Sequence, residues 1–207
     1  MTAWIKQLPV GPMANFAYLL GDSADKGCVV IDPGWEGERI LQVGTDNGYN
    51  IEAIWLTHTH FDHIGAVEPL LEKVDVPLLV HELEACTFAH LKDLVRCTRD
   101  GDPLQVGTVG VQCLHTPGHT PGGQCFVGEG FVFTGDTLFV DSIGRTDLPG
   151  SDPEQMFSSL KRLSHLPPGT VVYSGHNYGR EPTTTIGEQV KRNPYMQCRT
   201  VGEFLRR

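Results

Sequence analysis

The sequence lacks the long apolar runs that a membrane-spanning helix needs. No stretch approaches the ~20 consecutive apolar residues of such a helix, and the first residues show no basic segment followed by an apolar core. We therefore expect no export signal and no membrane partner. Low-complexity stretches and flexible linkers are missing as well, so the 207 residues predict a single domain over 1–207 with an ample core.

Positive charge and paired cysteines are also scarce. The chain has 16 Lys and Arg against 25 Asp and Glu, a net charge of −9 with neutral histidines, which argues against a nucleic-acid partner. None of the six cysteines forms a CxxC pair, and this usage favours a reduced, cytoplasmic compartment. Because no cysteine has the neighbourhood of a nucleophile, a cysteine-dependent reaction is not expected.

What the sequence does have is a dense cluster of metal-ligand side chains. His58, His60, Asp62 and His63 directly follow the apolar run 51–56, which has the length of a buried strand. Imidazole nitrogens beside a carboxylate suit zinc, iron or manganese better than calcium or magnesium. A lone loop histidine is usually solvated, but three histidines so close together would repel one another when protonated and would leave lone pairs unused when buried. This stretch therefore predicts a metal site where a core strand ends.

Strand and helix patterns alternate in both halves of the chain, which predicts an α/β or α+β class with a sheet-rich core. Strands are expected at 4–10, 16–21, 28–32, 51–56, 77–80, 106–114 and 170–173, with a hairpin over 126–132 that has a three-residue loop. Helices are expected at 38–47, 66–74 and 83–95, and after Asp152, which precedes Pro153 as an N-cap. His81 and His90 are interpreted as ordinary polar residues of these elements.

Three further ligand-type residues share one local arrangement: an apolar strand, then a small residue and a glycine, then the ligand. They are His119, Asp136 and His176. The glycine lets the backbone turn sharply where the strand ends. Each of these signals is weak by itself, because Gly-Asp and Gly-His turns are common.

Together the two groups supply five histidines and two aspartates, too many for one tetrahedral metal but suited to two. One aspartate can bridge, because a carboxylate has two oxygens. Two ions ~3.5–4 Å apart can hold a hydroxide, polarise an ester-type carbonyl and stabilise the leaving group. The residues therefore favour metal-assisted hydrolysis.

The motif from His58 to His63, followed in order by His119, Asp136 and His176, resembles the metallo-β-lactamase superfamily over nearly the whole chain. The resemblance implies a four-layer αβ/βα sandwich of two similar halves, with the metals at one edge between the sheets. It implies that one metal is held by His58, His60 and His119 and the other by Asp62, His63 and His176, with Asp136 bridging. Zinc is the favoured metal, with iron or manganese as alternatives.

Within that superfamily, the segments 116–122, 134–139 and 175–178 are similar to glyoxalase II, the hydroxyacylglutathione hydrolases. This similarity implies hydrolysis of thioesters of the S-D-lactoylglutathione type by a metal-bound hydroxide, with Asp62 as a catalytic residue. It implies a small thiol conjugate as the substrate. Arg145 and Tyr178 match positions that help to bind glutathione, and their structural alternatives are a loop salt bridge and a packed tyrosine.

The chain departs from the longer hydrolases in two places. Gly123 stands where they have a histidine that is not a ligand, and only 183–207 follow the last motif. We therefore expect no C-terminal glutathione-binding helical domain, as in the short glyoxalase II-like branch. Whether two copies form a homodimer is left open by the sequence.

Two other functions compete with the thioester hydrolase. The segments 144–147 and 176–178 resemble persulfide dioxygenase, an iron enzyme with the same seven side chains of which three are ligands. Against it stand Ile64, Gly65 and Ala66 after the first motif, where that family has Thr-Gly, and Gly123, where it has cysteine. The third possibility is a non-catalytic metal-binding module, which the seven intact ligand positions disfavour.

Overall fold

Two six-stranded sheets lie face to face in the computed structural model of the chain, which describes residues 3–207. The first sheet contains β1 (Ala3–Val10), β2 (Asn15–Asp22), β3 (Gly27–Ile31), β4 (Asn50–Trp55), β5 (Leu78–His81) and β6 (Val95–Thr98), which are neighbours in chain order. β1, β2 and β3 pair antiparallel, and β3 to β6 pair in parallel.

The second sheet contains β7 (Pro103–Val106), β8 (Val109–His115), β9 (Gln124–Gly128), β10 (Phe131–Gly135), β11 (Val171–Ser174) and β12 (Thr184–Thr185). Its strands are also neighbours in chain order. All of its pairs are antiparallel except β10 with β11, because the connection between those two strands crosses over through a helix.

Helices cover the outer face of each sheet. The chain forms α1 (Gly37–Asp46), α2 (Phe61–Ile64), α3 (Val67–Leu71), α4 (Pro153–Ser164), α5 (Ile186–Arg192) and α6 (Val201–Phe204), with a 3-10 helix at Ala85–Leu91. Ile40 of α1 and Leu70 of α3 pack on the first sheet, whereas Met156 of α4 and Ile186 of α5 pack on the second. The expected four-layer αβ/βα sandwich, and with it the α/β class, is confirmed.

β2 shows how the sequence builds the central layers. All of its eight residues are buried, because it has a covered face on each side. Phe16, Tyr18 and Leu20 point into the core between the sheets, while Ala17 and Leu19 point towards the helices. A strand that is buried on both faces reads as a continuous apolar run, and the twofold side-chain alternation divides that run between two cores.

The start of α4 follows its sequence pattern. The carboxylate of Asp152 accepts hydrogen bonds from the backbone N–H groups of Glu154 and Gln155 at 2.9 and 3.0 Å, and Pro153 is the first helical residue. The expected N-cap is confirmed. Such a cap satisfies backbone donors that the first helical turn leaves unpaired.

Several expected elements were wrong in extent or type. The single strand expected at 106–114 is two strands, β7 and β8, because Gly107 adopts a positive φ of 56° and turns the chain back. The helix expected at 83–95 is the shorter 3-10 helix, which is interrupted at Phe88 and followed by β6. The helix expected at 66–74 is only Val67–Leu71, and the 126–132 hairpin has a two-residue loop, since Gly128 pairs with Phe131.

No helix among residues 3–207 is long and apolar enough to cross a bilayer. The strand ends that matter for function lie at one edge of the sandwich. β4, β8, β10 and β11 each lead at their C-terminal ends into segments that carry the predicted metal ligands. The fold therefore gathers residues that are more than 100 positions apart in the chain.

Candidate metal centre

The structure brings all seven predicted ligand residues together at this edge. His58 and His60 lie in the loop after β4, and Asp62 and His63 lie in α2, which begins directly afterwards. The remaining three follow β8, β10 and β11. The side chains are buried except that of His60, which is half-buried: they are His58, His60, Asp62, His63, His119, Asp136 and His176.

Asp62, His63 and His176 form a tight group, the second ligand set. The Nε2 atoms of His63 and His176 lie 3.2 Å apart, and Oδ2 of Asp62 lies 3.4 Å from Nε2 of His176 and 3.8 Å from Nε2 of His63. Two ligand atoms of a tetrahedral metal with bonds of about 2.1 Å are about 3.4 Å apart. The second ligand set therefore already has the spacing of a metal-coordination shell.

His58, His60 and His119 form the first ligand set, with one ligand atom of each within 4.8 Å of the others. The Nε2 atoms of His58 and His119 are buried and make no hydrogen bond, and the same holds for Oδ1 of Asp136. Buried polar atoms without a partner are costly and rare in folded proteins. A bound metal ion would satisfy these atoms, so the donor set fits the metal that the sequence implies.

Asp136 lies between the two ligand sets. Its Oδ1 is 3.3 Å from Nε2 of His63, and its Oδ2 is 3.3 Å from Nε2 of His119 and 3.4 Å from Nε2 of His176. The carboxylate thus lies beside histidines of both sets, and Oδ2 alone is near one histidine of each. A carboxylate between two sets can bridge two ions, because it offers two oxygens.

Hydrogen bonds on the far side of each ring orient the histidines. Nδ1 of His119 donates to the carbonyl oxygen of Arg145 at 2.8 Å, and Nδ1 of His176 donates to that of Met13 at 3.0 Å. A carbonyl oxygen can only accept, so Nδ1 carries the proton and Nε2 keeps its lone pair. Such contacts fix the tautomer that binds a metal.

Asp32 orients a histidine of the second ligand set in the same way. In the sequence, Asp32 is followed by Pro33 and Gly34, a pattern that indicates only a turn. It accepts hydrogen bonds from Nδ1 of His63 at 3.1 Å, from the backbone N–H of Thr57 at 2.7 Å and from the Thr57 hydroxyl at 2.5 Å. The signal that could have revealed it was present, because Asp32 directly follows the apolar strand β3. It shares this strand-end position with the predicted ligands.

Asn15 is a second supporting residue that no sequence pattern predicted. Its Nδ2 donates to Oδ2 of Asp62 at 2.9 Å and to the Asp62 backbone carbonyl at 3.1 Å. The two residues are 47 positions apart, and nothing in the local sequence of Asn15 marks it. Only the packing of β2 beside α2 brings it to the site.

Burial and nearby charges shift the pKa values of the ligands in different directions: against the effect of burial, neighbouring carboxylates raise the pKa of His63 and His119. Burial, together with the nearby charge of His63, lowers the pKa of His58 well below its usual value. Burial alone would raise the pKa of Asp136, but the charge of His63 and the nearby imidazoles of His119 and His176 hold it well below the usual range. Neutral imidazole and ionised carboxylate are the states that coordinate metals.

A pocket of about 510 Å³ opens beside the ligand sets, and Arg145 and Tyr178 both line it. The guanidinium of Arg145 donates two hydrogen bonds to Asp147, each of 2.9 Å. The ring of Tyr178 stacks on that of His176, with centroids 4.5 Å apart. Both residues thus line the pocket, and each already has a structural partner.

His81 and His90 lie outside this cluster. His81 stacks on His115 with ring centroids 4.2 Å apart, and Nε2 of His90 lies 3.0 Å from a carboxylate oxygen of Glu68. Neither residue contributes a ligand atom to the groups at the sheet edge.

Comparison with known proteins identifies the family to which this chain is similar. A family model described as the metallo-beta-lactamase superfamily matches residues 10–176. A protein named probable polyketide biosynthesis zinc-dependent hydrolase PksB, from Bacillus subtilis, is 32% identical over 184 residues, which cover 88% of this chain and 82% of that protein. A hydroxyacylglutathione hydrolase from Psychromonas ingrahamii is 36% identical over 166 residues, covering 79% of this chain and 62% of the relative.

Solved structures give the same result for the fold. ETHE1 from Myxococcus xanthus superposes with a TM-score of 0.87 at 32% identity, covering 98% of this chain and 88% of that one. The B3 metallo-beta-lactamase BLEG-1 gives 0.82 at 33% identity, covering 94% and 100%. TTHA1623, solved in a di-iron-bound form, gives 0.79 at 40% identity, covering 92% and 99%. Among these similar proteins one is named for zinc and one was solved with iron, so the metal is not decided by similarity.

Proposed function

The chain belongs to the metallo-beta-lactamase superfamily, and from that premise we propose that it is a dimetal hydrolase that cleaves thioesters of the S-D-lactoylglutathione type. Its similarity to a zinc-dependent hydrolase and to a hydroxyacylglutathione hydrolase supports the hydrolase class. The observation that carries the proposal is the position of Asp136, whose carboxylate lies beside histidines of both ligand sets. A carboxylate between two ligand sets suits a bridge between two metal ions.

The reaction is the addition of water to the acyl carbon and cleavage of the carbon–sulfur bond, which releases a carboxylic acid and a thiol. Two bound metal ions, held by the first and second ligand sets and by Asp136, would supply Lewis acidity for this chemistry. Asp62 lines the pocket, and Asn15 holds its Oδ2. Its Oδ1 forms no hydrogen bond to any described residue, so it is free to accept the proton of the attacking water.

The pocket residues position the substrate. Tyr178 is held flat against His176 and at a right angle to Phe139, with ring centroids 5.5 Å apart. Its ring therefore forms a firm wall next to the reacting centre. Arg145 stands on the same pocket and offers the guanidinium that a carboxylate of glutathione would bind.

One observation favours persulfide dioxygenase as a second candidate. The ligand atoms that are buried without a hydrogen bond belong to two histidines, His58 and His119, and one carboxylate, Asp136. Two histidines and one carboxylate are the usual ligands of mononuclear non-haem iron oxygenases. The hydrolase is preferred because residues 64–66 and Gly123 depart from the dioxygenase pattern. The second ligand set, with ligand atoms 3.2–3.8 Å apart, supports a second metal.

The test is a parallel assay of metal content and of both reactions. The purified protein is analysed for bound metals, then assayed for S-D-lactoylglutathione hydrolysis and for oxygen uptake with glutathione persulfide. We expect two metal ions per chain and thioester hydrolysis. One iron per chain with oxygen uptake and no thioester cleavage would replace the hydrolase with the dioxygenase.

The variant Asp62→Ala separates the two candidates further. It removes a residue of the second ligand set, so we expect the hydrolase to lose about 100-fold or more in kcat and to retain about one metal per chain. A mononuclear iron site built from His58, His119 and Asp136 would retain its iron. Asp75→Asn, at an exposed position before β5, is the matched control for loss of a carboxylate.

A further inference from the structure

We infer that the pocket beside the metal centre recognises its substrate by an apolar acyl group, and that thioesters with a medium-length alkyl chain bind better than the short, polar lactoyl group. This inference rests on the proposed thioester hydrolase function and specifies the substrate class of that site. Its basis is the composition, the exposure and the charge of the pocket wall.

The wall outside the metal ligands is mainly apolar. Six apolar side chains line the pocket: Met13, Phe61, Phe139, Ile143, Leu148 and Pro149. They come from the turn between β1 and β2, the start of α2 and the segment after β10. The pocket volume of about 510 Å³ is within the range of roughly 300–1,000 Å³ for small-molecule sites. This is far more room than a lactoyl group needs, since it has only two carbons beyond the carbonyl carbon.

Exposure also singles out this pocket. Six large apolar side chains are exposed in the described part of the chain, and three of them line the pocket: Phe61 at 64%, Tyr178 at 55% and Met13 at 39%. Contiguous exposed apolar surface is uncommon on soluble proteins and marks binding sites. A ligand that covered these three side chains would remove that surface from water.

The aromatic residues of the wall are held in place before any ligand binds. Phe61 packs edge-on against Trp35, with ring centroids 6.5 Å apart and planes at 89°. Tyr178 is stacked on His176 and packs at a right angle to Phe139. Because these rings are already ordered, an apolar chain would bind with little additional loss of side-chain entropy.

Charge is scarce on the same wall. Among the described lining residues outside the ligand sets and Asp136, Arg145 carries the one charge, and its guanidinium is bound to both carboxylate oxygens of Asp147. The glutathione arm has two carboxylates, which proteins hold with guanidinium groups or backbone N–H groups. Even if it were released from Asp147, Arg145 would serve one of them. The wall therefore favours apolar contacts over carboxylate recognition.

The first experiment measures binding without turnover. Thioethers cannot be hydrolysed, so metal-loaded protein is titrated calorimetrically with the methyl, butyl and hexyl thioethers of glutathione and of N-acetylcysteamine, which has no carboxylate. We expect Kd to fall by about fourfold for each buried methylene in both series, and the two hexyl compounds to bind within about threefold of each other. A Kd that is independent of chain length would overturn the inference, as would a tenfold or greater preference for the glutathione compounds.

The second experiment identifies the wall. Phe61→Ala truncates a mostly exposed side chain, so it removes little core packing, and metal content confirms an intact site. We expect it to raise the Kd of the hexyl thioethers by about tenfold and that of the methyl thioethers by less than about twofold. Leu83→Ala, an exposed apolar residue outside the pocket, is the matched control and should change neither. Equal weakening of the methyl and hexyl compounds would contradict the inference.

Hydrolysis assays separate this inference from the proposed function. Hexanoyl and D-lactoyl thioesters of both thiols are compared by kcat/KM, and we expect the hexanoyl esters to be favoured. Cleavage of the lactoyl ester with no preference for the longer chain would support the hydrolase function and contradict the recognition of an apolar acyl group. Affinity that increases with chain length, without cleavage of any thioester, would support the recognition of an apolar acyl group and contradict the hydrolase function.

Discussion

Oδ2 of Asp32 accepts a hydrogen bond from Nδ1 of His63 at 3.1 Å, and this contact joins the end of β3 to the second ligand set. The same oxygen accepts the hydroxyl of Thr57, which in turn lies 3.1 Å from Nδ1 of His58. One carboxylate therefore orients a histidine of each ligand set, directly for His63 and through Thr57 for His58. Asp32 lies 31 residues before His63, so this contact between the two residues forms only when the chain folds.

Asp32→Asn should weaken the binding of the metal at the second ligand set by roughly 10–100-fold. The asparagine amide cannot accept hydrogen bonds from Nδ1 of His63, the Thr57 hydroxyl and the Thr57 backbone N–H together. Asparagine is chosen because Asp32 has a positive φ of 49°, a conformation that asparagine tolerates. The measurement is metal content after dialysis against a graded series of chelator concentrations. Asp75→Asn is the control, and retention equal to that of the wild type would show that Asp32 does not support the site.

Chelation should lower the thermal stability of the protein. A ligand present at about 100 times its Kd stabilises the folded state by ~2.7 kcal/mol, which corresponds to roughly 5–10 °C in Tm for a chain of this size. We expect Zn²⁺ to restore the Tm of the chelated protein. Mg²⁺ serves as the control, because five of the seven ligand residues are histidines and Mg²⁺ prefers oxygen. Equal restoration by Mg²⁺ would contradict the predicted ligand set.

Glu84→Ala should destabilise the loop that carries His119. Oε1 of the buried Glu84 accepts hydrogen bonds from the Thr120 hydroxyl and, at 3.0 Å, from the backbone N–H of Gly122. Removing the acceptor leaves both donors unpaired, at a cost of about 1–3 kcal/mol in the free energy of unfolding.

Urea denaturation measures this cost, and metal content measures the effect on the first ligand set. Glu84→Gln keeps an acceptor oxygen at the same place, so it should recover most of the loss. Glu82→Ala, at the exposed neighbouring position, is the control. If the alanine and glutamine variants were equally unstable, the hydrogen bonds to Thr120 and Gly122 would not be the cause.

Asp22 should stabilise the protein near neutral pH and lose this effect in acid. Hydrogen bonds from the Thr108 hydroxyl, and then from the backbone N–H groups of Ala24 and Thr108, lower the pKa of Asp22. A carboxyl whose pKa falls on folding adds stability above its unfolded pKa of about 3.9. That contribution disappears as the pH falls through the folded value.

The difference in unfolding free energy between the wild type and Asp22→Asn should therefore be largest near neutral pH and shrink below about pH 4. The measurement is urea denaturation of metal-free protein, so that the histidine ligands do not compete for metal. Asp93→Asn, at an exposed position, is the control for loss of a carboxylate. A difference that stayed constant into acid would mean that the charge of Asp22 does not contribute.

Local sequence patterns were reliable where a short segment determines its own structure. The N-cap at Asp152 and the strand β2 followed from capping and from a short apolar run between turns, which involve residues only a few positions apart. The strand expected at 106–114 was wrong at its start, because the positive φ of Gly107 makes a turn between β7 and β8, whereas 109–114 lie in β8 as expected. The segment 83–95 has helical spacing, but its last residue pairs in β6 instead.

By itself, the sequence determined the chemistry of the site. The identity of the seven ligand residues and their positions at strand ends are local properties, so the amino-acid sequence alone predicts two metals. The tertiary structure decided how these residues are combined. Asp136 faces both ligand sets, Asp32 and Asn15 orient them, and an apolar pocket lies beside them. The physical reason is that these relationships are contacts between segments far apart in the chain, which exist only after the two sheets pack together.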